Sequence, residues 1–396
     1  MGIANKIAKA MEGSSWIRAM FEEGERLRSI YGAENVFDFT LGNPVAEPPA
    51  ALKEELVRIV TADTKGIHRY MSNSGYETVR QQIADFLTEN KGVPFTKDLI
   101  IMTVGAAGGI NVALKALLDP GDEVIVLNPY FVEYTFYIEN HGGVMKLVET
   151  KEDFHLDIEA VEAAITPRTK AIIVNSPNNP TGVVYREDEL RRLAGLLGTK
   201  GALGQTIYLI SDEPYGKIVY DSIVLPNLFT LYKNTISITS HSKDLALPGE
   251  RIGYISVSPG AEDGNRLTDA MNFTNRILGF VNAPALMQRL VGGFQRASVD
   301  LDDYREKRDA LYGILVEAGF DAVKPEGAFY IFPKSPIPDD VEFVRQLQQH
   351  RVLAVPGVGF GRKGHFRLAY CIEMDTIRRS RDAFMKAGEL YGLRKR

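Results

Sequence analysis

The chain has 396 residues, 45% of them hydrophobic and 24% charged, with a formal net charge of −5. That length is too great for one small core and suits two domains, and the acidic balance gives no basic field for nucleic acid. A single cysteine, Cys371, excludes an internal disulfide and fits a reducing compartment, so a cytoplasmic protein is expected.

Lys6 and Lys9 precede no apolar stretch, so the N-terminus does not read as a secretory signal, and no run approaches the ~18 apolar residues of a membrane span. Gly2 is followed by Lys6 where a myristoylation motif requires Ser or Thr. The basic end Arg394-Lys395-Arg396 is too short to alter the charge argument.

In chain order, the residues through about Tyr31 predict an amphipathic helix with Ile3, Ile7, Ile17, Met20 and Phe21 available for burial. Asn35–Thr40 predicts a short strand, broken by Leu41-Gly42-Asn43-Pro44. From Leu99 the pattern is regular: strand 99–102, helix 106–118, strand 123–127, helix 131–140, strand 144–148, then strands 171–174, 207–210, 236–239 and 252–257. Such alternation predicts an α/β fold with a mostly parallel sheet and helices on both faces. After about Pro284 the rhythm changes to a helix near 301–319, a strand 328–331, a helix near 341–350, strands 352–355 and 365–370, and a final helix near 375–391. These elements predict a smaller α+β domain. The expected division is 1–45 contributing to the small domain, 46–284 as the large domain and 285–396 as the rest of the small one.

Several polar segments emerge where strands end. Gly105-Ala106-Ala107-Gly108-Gly109 joins a strand to a helix, a place where backbone N–H groups and the helix dipole hold a phosphate, or where small residues simply allow close packing. It fails the dinucleotide pattern and lacks the Gly-Lys-Ser/Thr of a P-loop. Asn175-Ser176-Pro177-Asn178-Asn179-Pro180-Thr181-Gly182 and Ser211-Asp212-Glu213-Pro214-Tyr215 each follow an apolar strand, at the end where open α/β sheets bind ligands. Asn179-Pro180 also suits a plain turn, and Asp212 a helix cap. Lys243, in Ser240-His241-Ser242-Lys243 with Arg251 downstream, is an amine among anion-binding groups, placed to condense with an aldehyde. Taken alone it would read as a surface lysine. The six histidines show no metal-ligand spacing, so no metal is expected.

In combination, from about Gly42 to Arg367, these segments resemble the class I/II aminotransferases within the fold-type I pyridoxal-phosphate enzymes. The resemblance implies that Lys243 forms an internal aldimine with pyridoxal 5'-phosphate and that Asp212 contacts the pyridinium nitrogen. Asn179 and Tyr215 would hydrogen-bond the phenolic oxygen, with Asn179 also near the substrate. Gly105, Ala106, Ala107, Ser240, Ser242 and Arg251 would hold the phosphate, and Phe131 would stack on the ring, with Tyr130 as a rival. Arg367 would grip the substrate α-carboxylate, and the backbone at Gly42 would close over it. Tyr70 would reach the neighbouring subunit's phosphate, which implies a homodimer with shared active sites.

The implied reaction exchanges an amino group between an L-amino acid and a 2-oxo acid, with 2-oxoglutarate as the expected acceptor. A carbon–sulfur β-lyase of the same fold and a non-catalytic binding module are the alternatives. Some bacterial aspartate-type members carry a side-chain cation where this chain has Ala107, which argues against a strict aspartate specialist. Arg276 is a candidate for a distal-carboxylate cation, or a surface charge.

Overall fold

A computed structural model describes residues 2–393 other than Ser14 and Asp63, with the side chains of 12–21 left out. The burial expected of Ile17, Met20 and Phe21, and the basic end at 394–396, fall outside the described residues. The strands are β1 (Phe37–Asp38), β2 (Ile100–Thr103), β3 (Glu123–Asn128), β4 (Val144–Glu149), β5 (Thr169–Asn175), β6 (Tyr208–Asp212), β7 (Thr235–Ser240), β8 (Gly253–Val257), β9 (Tyr330–Ile331), β10 (Val352–Leu353), β11 (Val355–Pro356) and β12 (Phe366–Ala369). The chain divides into two compact units, one of residues 46–301 with 326–328, the other of residues 1–45, 302–325 and 329–396. The changeover falls after Leu301, whereas the sequence rhythm changes near Pro284.

In the larger unit seven strands form one sheet in the order β2-β8-β7-β6-β5-β3-β4. All neighbours are parallel except β8, which runs antiparallel to both β2 and β7. β3 is buried along its whole length, and every residue of β5 except Lys170 is buried, which is why a continuous apolar run rather than an alternating one encodes these strands. At the edge, β2 alternates: Ile101 joins one core with Ile110, Val126, Ile173 and Ile238, while Ile100 and Met102 join another with Val79, Ile83 and Leu290. Helices thus cover both faces. The helix Gly105–Leu117 lies very close to the sheet, since a Cβ on Gly109 would sit 2.6 Å from Ile238 Cγ2.

The smaller unit carries the antiparallel sheet β11-β12-β9 and the parallel pair β1-β10. The expected strand 352–355 is two strands, because the chain changes partner at Ala354 from β1 to β12. The expected C-terminal helix is likewise two, Met374–Arg379 and Arg381–Leu390, broken where the Ser380 hydroxyl donates back to the Ile377 carbonyl at 2.7 Å. At the N-terminus Asn5–Gly13 and Ser15–Tyr31 are helical, as expected, but Ile3 and Ile7 are exposed rather than buried. Among the described residues no helix is long and apolar enough to cross a membrane.

Candidate active site

The carboxyl ends of β5, β6 and β7 bring Asn175, Asp212 and Ser240 to one edge of the larger unit, with Asn175 in register with Asp212. A cavity of about 170 Å³ opens there, and its wall includes Ala106, Ala107, Phe131, Asn179, Asp212, Tyr215, Ser240, Ser242, Lys243 and Arg251. Residues from six separate stretches of the chain therefore meet at one place. Two expected site residues, Gly42 and Arg367, belong to the smaller unit. Tyr70 is in the larger unit but 88% exposed and does not line the cavity.

Gly105 opens the helix Gly105–Leu117 at φ +79°, a left-handed backbone suited to glycine. The first-turn amides of residues 105–107 lack intrahelical acceptors, so they form a donor set reinforced by the helix dipole. Arg251 comes against this turn: a Cβ on Gly105 would lie 3.1 Å from its Nη2. Arg251 itself has φ +51°, a conformation a non-glycine residue adopts at some cost, and its Nη1 lies 3.5 Å from Ser242 Oγ and donates to the Pro248 carbonyl at 3.0 Å. The arginine lies outside β8 and ends the preceding turn Pro248–Glu250. Ser240 Oγ caps the short helix His241–Asp244 by accepting from the Ser242 amide, and it lies 2.7 Å from Ser242 Oγ. Two hydroxyls, a guanidinium and a helix N-terminus thus converge.

Across the cavity, Asp212 is 5% exposed. Its Oδ2 accepts from the Tyr134 hydroxyl, while Oδ1 is buried with no hydrogen-bond partner. Burial raises its carboxyl from 3.8 to about 7; the Tyr134 hydrogen bond opposes that rise and the neighbouring Glu213 charge adds to it. The Tyr134 phenol is in turn held well above its usual range by burial and by the Asp212 charge. Asn175, a residue with no assigned role in the sequence reading, donates through Nδ2 to the Asp212 carbonyl at 2.9 Å and accepts the Asn179 amide through Oδ1 at 2.8 Å. It ties the two neighbouring strand ends together. Asp212 caps no helix, because a turn follows β6. Phe131 faces the cavity and meets Tyr134 edge-on at 5.6 Å, whereas Tyr130 bonds Thr135 at 3.1 Å and does not line it. The bonds of Tyr134 and Asn175 to Asp212 are hidden from sequence reading because they span 78 and 37 residues. The aromatic-rich helix Glu133–Glu139 was the only hint of the first.

An orphaned buried acceptor, an amine in the same wall, and a group of amides, hydroxyls and a guanidinium fit a ligand with a protonated ring nitrogen, an aldehyde and a phosphate. Pyridoxal phosphate has those three groups, so the residues present fit it.

In the smaller unit Arg367 is buried on β12. Its Nη2 donates to the Thr40 carbonyl at 2.6 Å, and its guanidinium lies 4.6 Å from the ring centres of both Tyr330 and Phe360. Gly42 lies beneath Tyr330, whose hydroxyl would sit 1.9 Å from any Cβ there. Arg276 is exposed and packs over Phe273 at 5.1 Å, outside the cavity.

The sequence pattern of the family described as aminotransferase class I and II matches residues 34–384. The aspartate/prephenate aminotransferase of Thermus thermophilus is 35% identical over 355 residues, covering 88% of this chain and 89% of that protein. An aminotransferase from Eubacterium rectale, solved by crystallography, superposes with a TM-score of 0.95 at 38% identity and 99% coverage of both chains. The aspartate aminotransferase of Thermus thermophilus with maleate superposes at 0.85, with 31% identity, 98% of this chain and 100% of that one covered.

Proposed function

The chain belongs to the class I and II aminotransferases, a pyridoxal-phosphate-dependent family, and from that premise we propose that it moves an amino group between an L-amino acid and a 2-oxo acid through Lys243. The observation that carries this reading is the partnerless Asp212 Oδ1, buried in the same cavity wall as Lys243. When bound, the cofactor stabilises charge at the substrate Cα and stores the amino group between two half-reactions.

The residues divide that work. Lys243 Nζ is the amine that would hold the cofactor's aldehyde, and with substrate bound it would be the group that moves the proton at Cα, as base and then acid. Asp212 Oδ1 accepts the ring N–H; a buried carboxyl that titrates near neutrality alone becomes firmly anionic beside a cation. Asn179 and Tyr215 donate to the ring oxygen, and Phe131 covers one ring face. The phosphate takes the first-turn amides of Gly105, Ala106 and Ala107, the Ser240 and Ser242 hydroxyls, and the Arg251 guanidinium. Arg367 grips the α-carboxylate with both prongs of its guanidinium, and the Gly42 backbone closes over it. Tyr70 serves the partner subunit's phosphate in a homodimer, a role its exposure suits. The cytoplasm is the expected compartment.

2-Oxoglutarate is the proposed acceptor. The name of the Thermus thermophilus relative joins aspartate and prephenate, which supports tolerance of more than one side chain, as does Ala107 in the cavity wall. Visible absorption spectra recorded with a panel of amino acids test the reading. The yellow protein should lose its long-wavelength band with each true donor and return a new amino acid when 2-oxoglutarate is added. Release of pyruvate and ammonia from a cysteine conjugate, with no new amino acid, would establish the β-lyase instead.

A further inference from the structure

The turn that carries Lys243 has a second side. Lys243 and Ser242 line the cavity described above, while His241 and Asp244, on the same short helix, line a separate cavity of about 180 Å³ on the other side of the turn. Asp244 is 5% exposed, yet it is charged. Its carboxylate accepts from Lys217 Nζ at 2.8 Å and faces His241 Nδ1 at 3.2 Å. Burial pushes the Asp244 carboxyl up, but the His241 and Lys217 charges outweigh that effect and hold it below its usual range. The backbone is tied as well: the Asp244 carbonyl accepts the Val299 amide at 2.7 Å, and Lys217 Nζ also donates to the Ala297 carbonyl at 3.0 Å.

Lys217 lies two residues beyond Tyr215, on the turn that follows β6. One ion pair, between the half-buried Lys217 and the buried Asp244, therefore joins the turn bearing the Tyr215 phenol to the turn bearing the Lys243 amine. A pair with one buried member is a poor device for stability, because desolvating the carboxylate offsets much of the attraction. Its value is geometric: a fixed length and direction between the groups it joins.

Resting on the aminotransferase reading, we propose that Lys217 and Asp244 are a positioning pair, which sets the placement of Lys243 Nζ relative to the Tyr215 hydroxyl while touching neither substrate nor cofactor. A shift of about 1 Å at reacting groups costs up to about 100-fold in rate, so a loosened turn should appear in kcat. Lys243 and Tyr215 both line the cavity that would hold the cofactor, so the absorbance of the bound cofactor should report the change independently.

The test uses holoenzyme of wild type, Asp244→Asn, Lys217→Gln and the charge-free double variant Lys217→Met/Asp244→Leu, which leaves no unpaired buried charge. A wild type that neither binds the cofactor nor turns over any donor overturns the aminotransferase reading itself. If wild type is active, each variant is expected to lose about 10-fold or more in kcat with KM changed less than about 2-fold. The pH at which the bound cofactor's visible band changes form should move in the same variants. The charge-free variant keeps the proposal open to refutation if the single variants fail to fold, since it should fold and still show both effects. Wild-type kcat and a wild-type absorbance titration in that variant overturn the proposal, even if melting temperatures fall, because the pair would then be purely structural.

Discussion

The phenol of Tyr134 donates to Asp212 Oδ2, and both side chains are buried. The bond occupies one carboxylate oxygen and leaves the other, Oδ1, buried without a hydrogen-bond partner, on a residue that lines the same cavity as Lys243. It also opposes the effect of burial on the Asp212 carboxyl. Tyr134 thereby governs both the orientation and the charge of the group assigned to the ring nitrogen.

That link gives a pH dependence with a definite sign. In the folded, cofactor-free protein Asp212 titrates near 7, against 3.8 ordinarily. Below about pH 4 both folded and unfolded chains carry the proton, and Asp212 costs nothing. As pH rises from there to about 7, the unfolded chain ionises first, so folding stability falls across that window and the full loss is present above it. Asp212→Asn should remove this component, and its stability relative to wild type should grow between about pH 4 and 7 in melting curves. A difference that is flat with pH would contradict the assigned shift.

Tyr134→Phe removes the donor that lowers the Asp212 pKa. The same window should extend above pH 7, and kcat should fall about 10-fold, in line with losing a hydrogen bond to a charged group. Equal kcat values in the two proteins would remove Tyr134 from the site.

Borohydride reduction of the yellow protein followed by peptide mapping should place the pyridoxyl group on Lys243, and Lys243→Ala should give no such adduct. Label on another lysine would reassign the covalent site.

Arg251→Ala should weaken cofactor binding by about 10- to 100-fold, as expected for a charge-assisted hydrogen bond to phosphate. Equilibrium dialysis against pyridoxal phosphate measures it. Turnover at saturating cofactor should fall much less.

Arg367→Lys should raise KM by about 10-fold or more for every amino-acid and oxo-acid substrate together, since an ammonium cannot reproduce the planar two-pronged grip. Loss of one donor alone would show that Arg367 reads the side chain. Sedimentation of the active enzyme should give a dimer, in keeping with the role proposed for Tyr70.

Much of the larger unit is legible in the sequence because buried parallel strands are written as unbroken apolar runs with polar residues at their ends. Asp212, Asn179 and Lys243 stand out for that reason, and each lies at or just beyond such a strand end. What escapes is pairing at a distance. Tyr134 is 78 residues from Asp212, and nothing local marks it as a donor rather than as core. The reversed direction of β8 is equally hidden, because an apolar strand reads the same whichever way it runs. In the smaller unit, the break at Ser380 depends on a hydroxyl turning back onto its own helix, which the periodicity of the flanking residues does not record. Arg367, a lone arginine on a strand, shows its burial only when the Tyr330 and Phe360 rings are placed against it.

The close approach of Gly109 to Ile238 has a consequence one helical turn away. At Gly109 the helix brings bare backbone down onto the Ile238 side chain of β7, so the height of its axis above the sheet is set there by the absence of a Cβ. Its first-turn amides stand at that same height. Adding one methyl group, Gly109→Ala, would lift the whole helix and withdraw those donors from the Ser240 and Arg251 side of the cavity. A substitution buried in the core, with no polar atom of its own, would then be felt as a change in phosphate affinity.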